Sequence, residues 1–147
     1  MDALVAALEA VLDPATVYDG PELTGDAPPV VVCVGYDGDP GGDMRAVENW
    51  TQTWSASLGQ QKREEQFDIL GCVIAFTGDT GVKDRRDAVF TTFGVLETAV
   101  RAAANVALGL PSPAVAEFSA GEFYQEQTAG GLQGRIPWRV SVRRVRI

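Results

Sequence analysis

Five arginines lie within the last fourteen residues of the chain, GRIPWRVSVRRVRI. Guanidinium groups bind carboxylates and phosphates through paired hydrogen bonds, so a strand of arginines is suited to an acidic partner. The whole chain has a formal net charge of −8, which disfavours binding to nucleic-acid phosphates. The arginines therefore indicate either a docking face for an acidic protein or the solvated face of an edge strand. They are Arg135, Arg139, Arg143, Arg144 and Arg146.

The spacing of these arginines predicts a half-buried strand. Apolar and polar residues alternate from Arg135 to Arg143, which is the period of a strand with one buried face. The alternation slips by one residue at Arg143 and Arg144, which are adjacent. A β-bulge at this doublet would keep all five arginines on one face and the apolar side chains on the other.

An acidic loop is the second candidate site. The stretch DGDPGGDMRAVE, residues 37–48, has the carboxylates of Asp37, Asp39, Asp43 and Glu48 at positions one, three, seven and twelve, as in a calcium-binding loop of the EF-hand kind. Gly41 replaces the ligand expected at position five, and a strand precedes the loop instead of a helix. The alternative is a solvated acidic loop, which we expect to become ordered only against a partner protein.

The composition limits the chemistry that the chain can carry. It contains no histidine, which excludes histidine-based acid–base catalysis and most zinc sites. Glu64 and Glu65 are adjacent on a predicted strand, so their carboxylates point to opposite faces and do not converge on a substrate. Cys33 and Cys72 lie in apolar runs and are predicted to be buried free thiols. We therefore assign no catalytic residue, cofactor or metal ligand, and expect that the protein is not an enzyme.

The elements that position these residues follow from hydrophobic periodicity. The length suits a single domain, residues 1–147. Helical spacing predicts a first helix over residues 2–12. The expected fold class is α+β, with a mainly antiparallel sheet and with the N-terminal helix and one long helix packed on one face. Strands are predicted near 17–18, at 30–36, 51–59 and 63–78, over 114–127 with a break at Gly121, and in the C-terminal arginine stretch.

A long helix is predicted over residues 78–109. Asp79 or Thr80 is suited to its N-cap, Asp84 to its first turn, and Gly109 with Pro111 to its end. Its buried stripe is expected to consist of Val82, Val89, Phe93, Leu96, Val100, Ala103 and Ala107. The run from Ile69 to Phe76 is apolar on both faces, which predicts a central strand or one covered by another subunit.

Charge is unevenly distributed along the chain. The first fifty residues contain ten acids and one base, whereas residues 101–147 contain three acids and six bases. Such a chain can bind copies of itself head to tail. No apolar run is long enough to cross a membrane, and the first residues lack the basic leader of a signal peptide, so we expect a cytoplasmic protein without a membrane partner.

Several segments together carry a resemblance to a known family. After the first helix comes VYDGPELTGD, then a strand and the acidic loop, then KREEQFDI, then GDTGVKDRRDAVF at the start of the long helix, and finally QEQTAGG before the terminal strand. In this order they resemble the tail terminator, or tail completion, proteins of long-tailed bacteriophages, particularly those that infect actinobacteria. The high content of Ala, Gly and Asp with few lysines fits such a source.

The resemblance implies a structural virion protein. It implies an α+β subunit that forms a hexameric ring, caps the tail tube, ends its polymerisation and joins the tail to the capsid neck. The implied partners are other copies of the chain, the tail tube protein, a head-closure or connector protein, and DNA that passes through the lumen without specific binding. The implied location is the tail and neck of a virion assembled in the host cytoplasm. The alternatives are another neck protein or a small acidic calcium-binding module.

Overall fold

A computed structural model describes residues 1–13, 15–21, 29–57, 60–77, 81–102, 107–108, 110, 114–128 and 131–146. Within these residues the chain forms two helices and seven strands, which all belong to one sheet. The fold is therefore α+β, as the sequence predicts.

The first helix, α1, spans Asp2–Glu9. Leu4 and Leu8 are spaced four residues apart, so they lie on one face, and both are buried in the core. Leu12, which follows the helix, is buried in the same cluster. The predicted amphipathic helix is confirmed, with an end a few residues earlier than expected.

The second helix, α2, spans Val82–Arg101, and Asp84 lies in its first turn as predicted. Val89, Leu96 and Val100 are buried and Phe93 packs against the same core, which confirms that part of the stripe. Val82 is exposed, so its assignment to the stripe is wrong: it lies in the first turn, two turns before the first buried residue.

The ends of α2 also differ from the prediction. Its N-cap is Gly81, while Asp79 and Thr80 lie outside the described residues. The helix ends at Arg101, because Ala102 takes an extended conformation, with φ −60° and ψ 138°. The expected continuation to residue 109 is wrong at this point, although alanine has the highest helix propensity. Ala103, Gly109 and Pro111 lie outside the described part of the chain, and Ala107 is half-buried.

The strands lie close to their predicted positions. The acidic loop, predicted as residues 37–48, lies between β2 and β3, although its last two residues, Val47 and Glu48, already belong to β3. Gly121 lies in the expected break between β5 and β6. The strands are β1 Thr16–Asp19, β2 Val30–Val34, β3 Val47–Ser57, β4 Gln60–Thr77, β5 Ala114–Ala120, β6 Tyr124–Thr128 and β7 Gly131–Arg146.

The sheet is mixed but mostly antiparallel. Its strand order is β1-β2-β4-β7-β5, with β3 also paired to β4 and β6 also paired to β7. Only the β1–β2 pair is parallel among the described pairings. The long strands β4 and β7 pair with each other from Arg63–Arg146 to Thr77–Leu132. β4 is thus the central strand that its two apolar faces predict.

The two faces of the sheet carry different side chains. Ile69, Val73, Trp138 and Val140 belong to the larger core cluster, which also contains residues of both helices, and we call this the core face. The opposite face, which we call the ladder face, carries Cys72 and Ile74 in a smaller apolar cluster. Continuing along β7, the ladder face also carries Arg135, Arg139 and Arg143.

Two cysteines lie opposite each other on the ladder face. Cys33 of β2 is in register with Cys72 of β4, and both thiols are buried and form no disulfide, as predicted. Burial, together with the neighbouring Cys33, raises the pKa of the Cys72 thiol well above its ordinary value. A thiol with a raised pKa is a poor nucleophile, so the pair is suited to packing.

Neither described helix combines the length and the apolar character that crossing a membrane requires.

Candidate interaction surfaces

The arginine strand has no bulge at its doublet. The pairing of β7 with β4 continues in register through Gln66–Arg143, Glu65–Arg144 and Arg63–Arg146. Successive residues of a regular strand point to opposite faces, so Arg144 occupies a core-face position, unlike Arg135, Arg139 and Arg143. The side chain of Arg146 lies outside the described part of the structure. The prediction that all five share one face is wrong. That prediction requires every charged side chain to leave the core face. Arg144 stays on this face because it pairs there with the buried Glu65.

The three arginines of the ladder face are paired with carboxylates of the same chain. Arg135 binds Glu126, Arg139 binds Glu48 and lies near Asp68, and Arg143 binds Glu64. Four carboxylates thus stand beside three guanidinium groups, so this part of the face has no excess positive charge. The exposed Arg143–Glu64 pair contributes only about 0–1 kcal/mol, whereas Arg135 is buried. These arginines offer little unpaired charge to an acidic partner.

Arg135 fixes the beginning of the acidic loop. Its Nη1 donates to the carbonyl oxygen of Asp37 at 3.2 Å, and its guanidinium lies 4.9 Å from the ring centre of Tyr124. Gly38 packs against it so closely that a Cβ at this position would lie 2.6 Å from Arg135 Cδ and 2.9 Å from Cys72 Sγ. Because Gly38 also has a φ of +83°, only glycine fits between the loop and the sheet.

The remainder of the acidic loop is exposed and held by its own turns. The backbone N–H of Asp39 donates to Asp37 Oδ1, and that of Gly41 donates to Asp39 Oδ1. The Asp43 carboxylate pairs with Arg45. Glu48, the expected last calcium ligand, is instead ion-paired to Arg139 across the sheet. Among the described residues no three Cys, Asp or Glu side chains converge as metal ligands.

A second surface lies on the core face at the free end of the β3–β4 hairpin. We call it the tryptophan shelf; its residues are Trp50, Gln52, Trp54, Arg63, Glu65 and Arg144. No local pattern in the sequence predicts it, because its residues come from three strands. A β-bulge between Glu48 and Thr51, with Asn49 at φ 52°, shifts the alternation of β3 by one residue. Glu48 therefore lies on the ladder face, whereas both tryptophans lie on the core face. Trp50 is 66% exposed and Trp54 is 60% exposed, whereas Trp138 is buried.

The two exposed tryptophans are held in place by polar neighbours. Trp50 Nε1 donates to Glu65 Oε1 at 3.0 Å, and Gln52 Nε2 donates to the same oxygen at 3.2 Å. The Arg63 guanidinium lies 5.7 Å from the centre of the Trp54 ring. Side chains that are already ordered lose less conformational freedom when a partner covers them, so this surface is suited to contact.

Glu65 is the central group of this network. It is only 4% exposed, and Arg144 Nε donates to its Oε2 at 2.5 Å. Burial raises the pKa of Glu65, but hydrogen bonds from Arg144, Gln52 and Trp50 outweigh burial and hold this pKa below its usual value. The carboxylate is therefore ionised at neutral pH and neutralises Arg144.

The lowered pKa predicts a specific dependence of stability on pH. A carboxyl whose pKa is lower in the folded chain stabilises the fold above its unfolded pKa of about 4.3, and that stabilisation is lost as pH falls through the folded pKa. We expect Glu65→Gln to cost roughly 1–3 kcal/mol at pH 7, because Arg144 loses its charged partner. This difference from the wild type should shrink below pH 4, as measured by urea unfolding.

Glu64→Gln is the matched control for this prediction. Glu64 is the neighbouring residue, but its partner Arg143 is largely exposed to solvent. The substitution should change the free energy of unfolding by no more than about 1 kcal/mol at any pH. Equal effects of the two substitutions at pH 7 would contradict the central role of Glu65.

A shallow cleft of about 360 Å³ adjoins the ladder face. Its lining includes Glu48 and Arg139, which bind each other, and the apolar side chains of Leu70 and Pro137. Its lining also contains Asp37 and Ser119. The cleft does not change the assignment of the two surfaces as the candidate sites.

Comparison of the chain with protein-family models and with curated protein sequences gave no match.

Proposed function

We propose that this protein is a structural subunit of a phage tail, which forms a ring on the end of the tail tube, ends tube polymerisation and joins the tail to the capsid neck. The observation that carries the proposal is the tryptophan shelf. Interfaces between proteins are centred on a few ordered aromatic and arginine side chains, and Trp50, Trp54 and Arg63 form such a group outside the core. The resemblance to tail terminator proteins supplies the specific assembly.

The arrangement of the helices supports the same architecture. We infer that both helices pack on the core face, because Leu8 of α1 and Leu96 of α2 belong to one cluster with Val73 and Val140 of the sheet. The smaller apolar cluster, which includes Tyr36, lies on the ladder face. A subunit with helices on one face leaves the ends and the other face of its sheet for neighbours.

The partners follow from the proposed assembly. They are other copies of the chain, six in the ring, together with the tail tube protein and a head-closure or connector protein. DNA passes through the lumen without specific binding, because a chain of net charge −8 repels phosphates at long range. The protein would reside in the tail and neck of the virion after assembly in the host cytoplasm.

The experiment is negative-stain imaging of the purified protein with a tail tube protein from the same genome. We expect rings at one end of each tube and tubes that stop growing once capped. A titration of the protein into polymerising tube protein should shorten the tubes in proportion to its concentration. An acidic protein of similar size is the control for nonspecific inhibition.

Two results would redirect the proposal. If the protein leaves tube length unchanged but binds the portal end of DNA-filled heads, it is a head-closure protein of the neck. If it binds neither tubes nor heads, the virion assignment is wrong.

A further inference from the structure

We propose that the tryptophan shelf of one copy binds the acidic loop of a second copy. This contact rests on the proposed function, because it is the subunit contact of a ring. The acidic loop is identified as the occupant by its exposed apolar side chain and its charge. Both surfaces of this contact belong to the described part of the chain.

The shelf presents ordered apolar area beside positive charge. Trp50 and Trp54 are oriented by Glu65 and Arg63, so a partner that covers them does not have to immobilise them first. The described charged side chains of the shelf are Arg63, Glu65 and Arg144, and Glu65 already neutralises Arg144. The charge of Arg63 remains in excess beside the indoles, although the side chain also approaches Glu65 at 3.9 Å.

The acidic loop has the complementary character. Asp39 and Asp43 are exposed. Residues 37–46 contain three acidic residues and one basic residue, Arg45. Met44 is 56% exposed and follows Asp43 directly, with a φ of 49°. Methionine packs well against aromatic rings, at about 0.3–1.5 kcal/mol for a sulfur–aromatic contact. Met44 lies between Asp43 and Arg45, which pair with each other, so Asp39 supplies the exposed carboxylate that can meet Arg63. An exposed methionine and a nearby carboxylate therefore match two indoles beside an arginine.

The two surfaces lie on opposite faces of one subunit. The shelf lies on the core face, whereas Gly38 anchors the loop against Cys72 and Arg135 on the ladder face. A contact between two different surfaces is heterologous, so each bound copy leaves one shelf and one loop free. Such a contact continues from copy to copy until a ring closes, which is the geometry that a tube cap needs.

Two variants test the contact by complementation. Trp54→Ala removes the exposed indole from the shelf, and D43K/M44N reverses charge and removes the apolar tip from the loop; asparagine tolerates the positive φ. Each variant alone should have a dissociation constant raised by about 30-fold or more, as for loss of a hot-spot residue, and should sediment as a monomer. Val115→Ala, an exposed position on β5, is the control and should assemble like the wild type.

The decisive sample is an equal mixture of the two variants. The intact loop of the Trp54→Ala chain can enter the intact shelf of the D43K/M44N chain, whereas the second contact between them is doubly defective. We expect a dimer of one copy of each, identified by native mass spectrometry, and no larger species. Amide hydrogen exchange should slow in residues 37–45 of only one of the two chains.

Several outcomes would overturn the contact. These are wild-type assembly by either variant alone, a mixture that remains monomeric, or loop exchange that is the same in the assembly and the monomer. A wild-type chain that caps tubes yet never binds its own copies would overturn this contact and leave the proposed function standing. If the variants complement each other but the wild-type chain does not cap tubes, the contact would stand and the proposed function would be overturned. Circular dichroism of each variant confirms that the monomer is folded.

Discussion

Replacing Gly71 by alanine is expected to destabilise the fold by about 3 kcal/mol or more, at the upper end of the cost of overpacking a core. Gly71 pairs directly with Trp138 on the neighbouring strand, and the buried indole lies across the glycine. A Cβ at residue 71 would lie 2.1 Å from Trp138 Cζ2 and 2.3 Å from Cη2. Because the ring is rigid and enclosed, relief requires moving a strand. Urea unfolding monitored by circular dichroism measures the loss.

Two controls separate this clash from a general effect of alanine. A Cβ at Gly94 on the exposed side of α2 would meet nothing within 4 Å, so Gly94→Ala should stabilise the protein by about 0.5–1 kcal/mol through helix propensity. Gly71→Ala introduced into a Trp138→Leu background should cost much less than in the wild type, because the two sites share the clash. Full additivity of the two changes would show that the indole does not lie over Gly71.

Replacing Leu96 by alanine is the second large effect, with an expected loss of about 2–5 kcal/mol. Leu96 is fully buried at the centre of the α2 stripe and belongs to the same core cluster as Ile69 and Val140. The substitution removes apolar contacts and leaves a cavity that a helix packed on a sheet cannot close. The loss is a large share of the roughly 5–15 kcal/mol by which domains are stable.

Val95→Ala is the matched control because it changes the neighbouring residue of the same helix. Val95 is 39% exposed, so the change should stay within about 0.5 kcal/mol. A melting temperature that falls for Val95→Ala and stays constant for Leu96→Ala would mean that the helix presents a different face to the sheet.

The proposed ring gives a role to features that the core does not require. The core needs neither the exposed Trp50 and Trp54 nor the apolar Met44 at the tip of an acidic loop. Large exposed apolar side chains are a liability for an isolated protein, because they promote association. In the proposed ring, these side chains would be covered by neighbouring copies.

Periodicity in the sequence was sufficient to locate most elements. The apolar stripes of α1 and α2, the alternation of β7 and the doubly apolar run of β4 each depend on local spacing, which a helix or strand converts directly into a buried face. The central position of β4 followed for the same reason. Local spacing does not determine where a helix ends, since Ala102 leaves the helix although the local sequence favours it.

The tertiary structure alone decided where the charges went. Arg143 and Arg144 are adjacent, and so are Glu64 and Glu65 on the strand beside them. Each strand points successive side chains to opposite faces, so one glutamate meets one arginine on each face: Arg143 pairs with Glu64, and Arg144 with Glu65. The partners are 79 residues apart in the sequence, and no local pattern links them.

The same reason explains why the tryptophan shelf, and not the arginine face of β7, is the exposed candidate surface. The arginine face was inferred from one strand, but the charge available on a surface depends on which carboxylates the neighbouring strands bring to it. The shelf likewise exists because β3, β4 and β7 place Trp54, Glu65 and Arg144 together, and because a bulge in β3 sets the face on which Trp50 lies. Local sequence determined which side chains alternate, and the pairing of distant strands determined which of them remain available to a partner.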